Sequence, residues 1–113
     1  MCTKNQALSI LSQAYQRCVK IFSNKLSDAY LYGSYARGDF DDESDIDILV
    51  TVDMSPSDLA EIRSQVSKIN SDLSLEHDVT VSITAAPLEQ FNKYINILPY
   101  YRNVSREGIK YAG

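Results

Sequence analysis

Gly33-Ser34, a gap of ten residues, and then Asp45-Ile46-Asp47 are the pieces of this 113-residue chain that could do chemistry on a phosphate. Residues two apart on a strand project to one side, so the carboxylates of Asp45 and Asp47 face a common point. Two hard, anionic oxygen ligands at that separation suit Mg²⁺ or Mn²⁺. Mg²⁺ keeps several waters and takes further ligands from phosphates, so two or three carboxylates are enough. Gly33 lets the backbone approach a phosphate closely, and the Ser34 hydroxyl can donate to a phosphate oxygen. The N–H groups of the turn that follows can add a small anion-binding nest. Cations held by carboxylates orient a triphosphate, lower the pKa of an acceptor hydroxyl and stabilise departing pyrophosphate. That chemistry is nucleotidyl transfer. An Asp-x-Asp alone is common at strand ends, and a Gly-Ser turn alone says nothing. The four positions together, at a background of about 6% each, arise by chance roughly once in a thousand chains of this length.

The surrounding elements must bring these pieces together. Ala29 to Tyr32 reads as a short strand that Gly33 stops. From Asp45 to Val52 the chain alternates: Ile46, Ile48, Val50 and Val52 share one face, while Asp45, Asp47, Leu49 and Thr51 share the other. A ten-residue connection allows these strands to pair antiparallel, which sets Gly33-Ser34 beside the carboxylates. Ser55 then caps a helix, with Pro56 in its first turn and Asp58 at its positive end. Its expected buried stripe is Leu59, Ile62, Val66, Ile69 and Leu73. A helix of about 17 residues is long enough for a parallel, right-handed crossover to a third strand, expected from His77 to Thr84. The start of that strand lies at the same sheet edge, which makes Asp78 the natural third carboxylate, with Glu76 and His77 as fallbacks.

The remaining elements are an amphipathic helix from Lys4 to Lys25, carrying Leu8, Leu11, Tyr15, Cys18 and Phe22, and a helical turn near Ala36. A helix opens at Pro87 with Leu88, Phe91, Ile95 and Leu98 inward, and Pro99 ends it. A short helical piece reaches Gly108, and Ile109 to Ala112 form a strand or pack on the surface. The expected fold is α+β, in the order α-β-β-α-β-α-α: one domain over residues 1–113, a small mixed sheet with helices on one face.

The formal charge of −4 argues against a duplex nucleic-acid binder, which needs a basic face. No apolar run approaches the roughly 20 residues of a membrane span. The two cysteines make no disulfide framework, and Cys18 is expected as a buried apolar residue. The first residues lack a signal-peptide core, so a cytoplasmic location is expected. His77 is the only histidine, which leaves little for a zinc site or a histidine-based triad. Asp39, Asp41, Asp42 and Glu43 read as a solvated acidic loop. Arg37, the cation nearby, either reaches a phosphate or pairs with that loop.

This pattern resembles the minimal nucleotidyltransferases of the DNA polymerase β-like superfamily, whose signature is Gly-Ser, ten residues, Asp-x-Asp. Ala36-Arg37-Gly38 and Ser44 also look like that family. His77-Asp78-Val79 resembles the strand bearing the third carboxylate, and Asn103 to Ile109 looks like the closing segment. The resemblance implies transfer of a nucleotidyl group from ATP or another NTP, with Asp45, Asp47 and Asp78 holding Mg²⁺ or Mn²⁺. It makes Asp78 the base for the acceptor hydroxyl and Gly33, Ser34 and Arg37 the nucleotide contacts. It also implies an antitoxin role beside an all-helical HEPN ribonuclease toxin, with AMP passed to a toxin tyrosine. Tyr35, where the family often has a basic residue, and the acidic loop depart from the pattern and leave less positive charge for a triphosphate. After the sheet and its helices no acceptor-binding domain is left, so the acceptor is expected to dock from another molecule. Two other readings stay open: a non-catalytic module that neutralises its partner by binding, and a nucleotidyltransferase acting on a small hydroxyl compound such as an aminoglycoside.

Overall fold

The computed structural model describes residues 2–112. Helix α1 (Lys4–Phe22) passes through a 3-10 turn at Ser23–Lys25 into β1 (Leu26–Tyr32), and a single helical turn, α2 (Ser34–Arg37), follows. Then come β2 (Ile46–Val52), α3 (Pro56–His77), β3 (Val81–Pro87), α4 (Leu88–Tyr94), α5 (Pro99–Glu107) and β4 (Ile109–Lys110). The sheet runs β3-β2-β1-β4. As expected, β1 and β2 pair antiparallel, and β2 and β3 pair parallel across the α3 crossover. Of the expected closing stretch, Ile109–Lys110 does add a strand, antiparallel to β1.

Local chemistry sets the helix starts. Thr3 and Gln6 form a reciprocal cap: the Thr3 hydroxyl accepts from the Gln6 N–H at 3.1 Å, and the Gln6 side chain accepts from the Thr3 N–H at 2.7 Å. Ser55 accepts from the Asp58 N–H at 3.2 Å, and Pro56 opens the first turn of α3. Ala7, Ile10, Leu11, Ala14, Cys18 and Phe22 then bury the inner face of α1 against Leu31, Ile48 and Val50, with Leu59, Val66, Ile69 and Leu73 of α3 beside them. Each fully buried Leu, Ile, Val or Phe among them contributes about 1.5–3 kcal/mol by leaving water.

Helices cover both faces of the sheet, which corrects the one-face expectation. Leu49 of β2 and Ala86 of β3 point away from α1, and Phe91, Tyr101 and Val104 of α4 and α5 close over them. The cause is β2, which lies between two strands and is buried on both sides from Ile48 to Val52. Leu98, expected inward, is exposed because α4 ends at Tyr94.

The third strand starts later than its alternation suggests. Helix α3 continues through His77, and Asp78 closes it in the left-handed region, with φ 52°. A partner fixes that last turn, since the His77 ring lies 3.1 Å from the Gln13 side chain of α1. Strand β3 is a sheet edge, and α3 covers its outward N–H groups. Val81 donates to the Ser74 hydroxyl and Ile83 to the Asn70 side-chain oxygen, both at 2.8 Å. These bonds blunt an edge that would otherwise invite pairing with another chain.

Candidate active site at the start of β2

Asp45 and Asp47 flank the first residue of β2. The Ile46 N–H donates to the Thr80 carbonyl at 2.8 Å and ties the start of β2 to the turn before β3. Asp45 is exposed and Asp47 is half-buried. Across the sheet, Asp47 pairs with Tyr32 on β1 and with Ser82 on β3. Gly33 therefore follows directly after the strand partner of Asp47.

That approach is closer than any side chain permits. A Cβ on Gly33 would lie 2.7 Å from Oδ2 of Asp47. The Gly33 backbone sits at φ 77°, ψ −154°, a region essentially confined to glycine. Its carbonyl accepts from the N–H groups of Ala36 and Arg37, each at 3.1 Å, and so begins the α2 turn. Gly38, at φ 91°, ends that turn. Ser34 is thus the first residue of α2, one position from the glycine that touches Asp47.

Tyr35 holds this loop down. Its side chain is almost fully buried, its ring stacks on Phe40 at a centroid distance of 4.3 Å, and its hydroxyl donates to the Cys2 carbonyl. Tyr35 stands where a basic residue was the family expectation, and its role here is to anchor the loop. Arg37 takes the pairing part of its two anticipated roles. Its guanidinium pairs with Asp39 at 3.3 Å and with Glu107 of α5 at 3.8 Å, and its charge also acts on Asp47.

The carboxyl of Asp47 is pushed above the ordinary aspartate range, first by burial and then by the charge of Asp45, with Arg37 opposing the shift. A half-buried carboxylate beside a second one is an arrangement that a divalent cation relieves. The donor set, two acidic oxygen ligands from one strand start, fits Mg²⁺ or Mn²⁺.

Asp78 does not join this pair as the expected third member. Among the described residues, no three His, Cys, Asp or Glu side chains are placed to hold one metal ion. Asp78 lies at the anticipated end of the sheet, exposed, in the turn between α3 and β3. It lines a cavity of about 690 Å³ together with Asp45, Asp42, Glu43, Tyr35, His77 and others, but Asp47 is not part of that wall. The difference arises because α3 continues through His77 and β3 opens at Val81, four residues later than the expected strand start, which leaves Asp78 in the turn.

Sequence reasoning passed over Tyr32 and Ser82, which flank Asp47. The Tyr32 hydroxyl lies 2.9 Å from that of Tyr100 on α5. Burial raises its pKa, and the Tyr100 contact and the charge of Asp47 raise it further, so the phenol stays protonated. The period-two pattern of β3 carried the signal for Ser82, once paired in register with β2.

The nucleotidyltransferase domain family matches residues 11–110. Two proteins of Methanocaldococcus jannaschii, each named as a candidate protein adenylyltransferase, are similar in sequence. MJ0604 is 36% identical over 82% of this chain and 93% of its own length. MJ0141 is 38% identical over 68% of this chain and 76% of its own length. Among solved structures, a candidate nucleotidyltransferase from Sulfolobus solfataricus shares the fold with a TM-score of 0.64 at 19% identity, covering 95% of this chain and 80% of that one. A toxin–antitoxin structure with AMP-PNP superposes with a TM-score of 0.53 at 20% identity, over 89% of this chain and 72% of that one.

Proposed function

Since this chain belongs to the nucleotidyltransferase domain family, we propose that it transfers AMP from ATP to a hydroxyl of a partner protein, as the antitoxin of a toxin–antitoxin pair. The observation that carries the reading is the half-buried carboxyl of Asp47, next to the charge of Asp45 at the start of β2 and directly against the Gly33 turn. The names of the relatives favour a protein acceptor. The toxin–antitoxin structure with AMP-PNP shares the fold and favours ATP and a toxin partner. A helical HEPN-type toxin in the cytoplasm is the partner we favour.

Asp45 and Asp47 would hold Mg²⁺ or Mn²⁺, which when bound orients the triphosphate and offsets charge as pyrophosphate departs. The chain's own residues do the positioning. The Gly33 backbone gives close access, and the Ser34 hydroxyl donates to a phosphate oxygen. Arg37, held by Asp39 and Glu107, keeps a positive charge near the phosphates. The acceptor oxygen bonds to the α-phosphorus as the bond to pyrophosphate breaks, and the acceptor proton leaves to solvent. Asp78, outside the carboxylate pair, adds negative charge to the cavity wall.

The test uses ATP labelled at either the α- or the γ-phosphate, Mg²⁺ and a cell extract. Label from the α position alone should become attached to protein, and Asp45→Ala and Asp47→Ala should each abolish it. Transfer of the γ label, or equal labelling by the variants, overturns the proposal. The lack of a three-carboxylate group favours a second reading, neutralisation by binding alone. Under that reading the same two variants still neutralise the toxin.

A further inference from the structure

The parallel register between β2 and β3 decides which side chain stands third at the carboxylate pair. Asp47 and Ser82 are Cα partners on neighbouring strands. Adjacent strands lie about 4.8 Å apart, and paired residues in a ladder project to the same face. Ser82 is half-buried there, like Asp47. Asp78 lies four positions upstream of it, off the strand, exposed and in a left-handed turn. Its cavity includes Asp45 but not Asp47.

We propose that Ser82 is the third side chain of the cation site, with a neutral hydroxyl where a carboxylate would complete the set. The inference rests on the reading of Asp45 and Asp47 as cation ligands and goes beyond it in assigning Ser82 and excluding Asp78. The consequence is a site with two negative charges instead of three. Affinity for a hard divalent cation follows the number of charged ligands. The free protein therefore binds such a cation weakly, and a nucleotide's phosphates supply the missing oxygens.

The experiment titrates the full chain with Mn²⁺ and no nucleotide, at about 0.1 M salt so that distant charges are screened. Electron paramagnetic resonance reads the free aquo ion. Ser82→Asp should tighten Mn²⁺ binding at least tenfold. Ser82→Asn, of the same length without the charge, should gain less than threefold. Asp78→Asn should stay within twofold of wild type; it suits a left-handed turn and leaves the fold intact. Asp47→Asn should lose most of the binding. If Asp78→Asn weakens Mn²⁺ as much as Asp47→Asn does, the assignment of Ser82 is overturned. It is overturned equally if Ser82→Asp, shown to be folded by circular dichroism, binds no tighter than wild type. Unchanged binding in Asp45→Asn and Asp47→Asn would instead remove the underlying cation site. Should Ser82→Asp fail to fold, the comparison of Asp78→Asn with Asp47→Asn still decides.

Discussion

Gly33→Ala perturbs the backbone and the carboxylate pair at once, and the structure gives the size of both effects. At φ 77°, ψ −154° an L side chain is strained by about 1–3 kcal/mol. Its Cβ would meet Oδ2 of Asp47 at 2.7 Å, where ordinary contact begins near 3.4 Å, so one of the two must give by about 0.7 Å. A reacting group misplaced by nearly 1 Å can cost about a hundredfold in rate. Urea denaturation should show the 1–3 kcal/mol loss, a sizeable part of the roughly 5–15 kcal/mol of a typical domain. Transfer of α-labelled phosphate, measured where the variant is still folded, should fall about a hundredfold. Gly38→Ala is the control. It also has positive φ but meets nothing within 4 Å, so it should lose stability and keep its activity. A Gly33→Ala protein as stable as wild type would refute the strain argument. A destabilised variant with full activity would refute the claim that Gly33 protects the position of Asp47.

Three further outcomes follow from the same geometry. Asp47→Asn should stabilise the metal-free protein at neutral pH by about 0.5 kcal/mol or more, as removal of a strained functional group often does. The folded state holds the Asp47 proton more tightly than the unfolded chain does, so wild-type stability falls as pH rises from the ordinary aspartate pKa through the raised one. The advantage of the variant should therefore vanish at pH values below that window in paired melting curves, and a constant advantage would contradict the shift. Asn70→Ala should cost about 1–3 kcal/mol in urea denaturation, because it leaves the Ile83 N–H at the sheet edge without its acceptor; a loss under 0.5 kcal/mol would show that water replaces it. Burial pushes the Cys18 thiol up to about 11, so iodoacetamide at pH 8 should modify Cys2 in the native protein and Cys18 only after unfolding. Equal rates at the two thiols, read by mass spectrometry, would contradict the packing of α1.

What could be read from the chain alone was whatever local periodicity and capping encode. The alternation from Ile46 to Val52, the Ser55-Pro56 start of α3, the Gly33 stop after β1 and the helical turn near Ala36 all appear where the pattern placed them. The start of β3 did not: Val79, Val81 and Ile83 alternate as in a strand opening at His77, but α3 runs through His77 and the strand opens only at Val81. The bond from His77 to Gln13, 64 residues away, belongs to a packing contact that no local window contains. The same limit hid Ser82. Its importance lies in the register with Asp47, and register becomes visible only once the two strands are paired. The second packed face followed from Leu49 and Thr51, whose burial depends on β2 having neighbours on both sides.

Calorimetric titration of ATP into the metal-free protein, with and without Mg²⁺, tests the carboxylate pair most directly. Binding should strengthen markedly when Mg²⁺ is present, and Asp45→Asn with Asp47→Asn should erase that difference while leaving the protein folded. Equal affinity in EDTA and in Mg²⁺, or a metal effect that survives both substitutions, would contradict the assignment of these two aspartates.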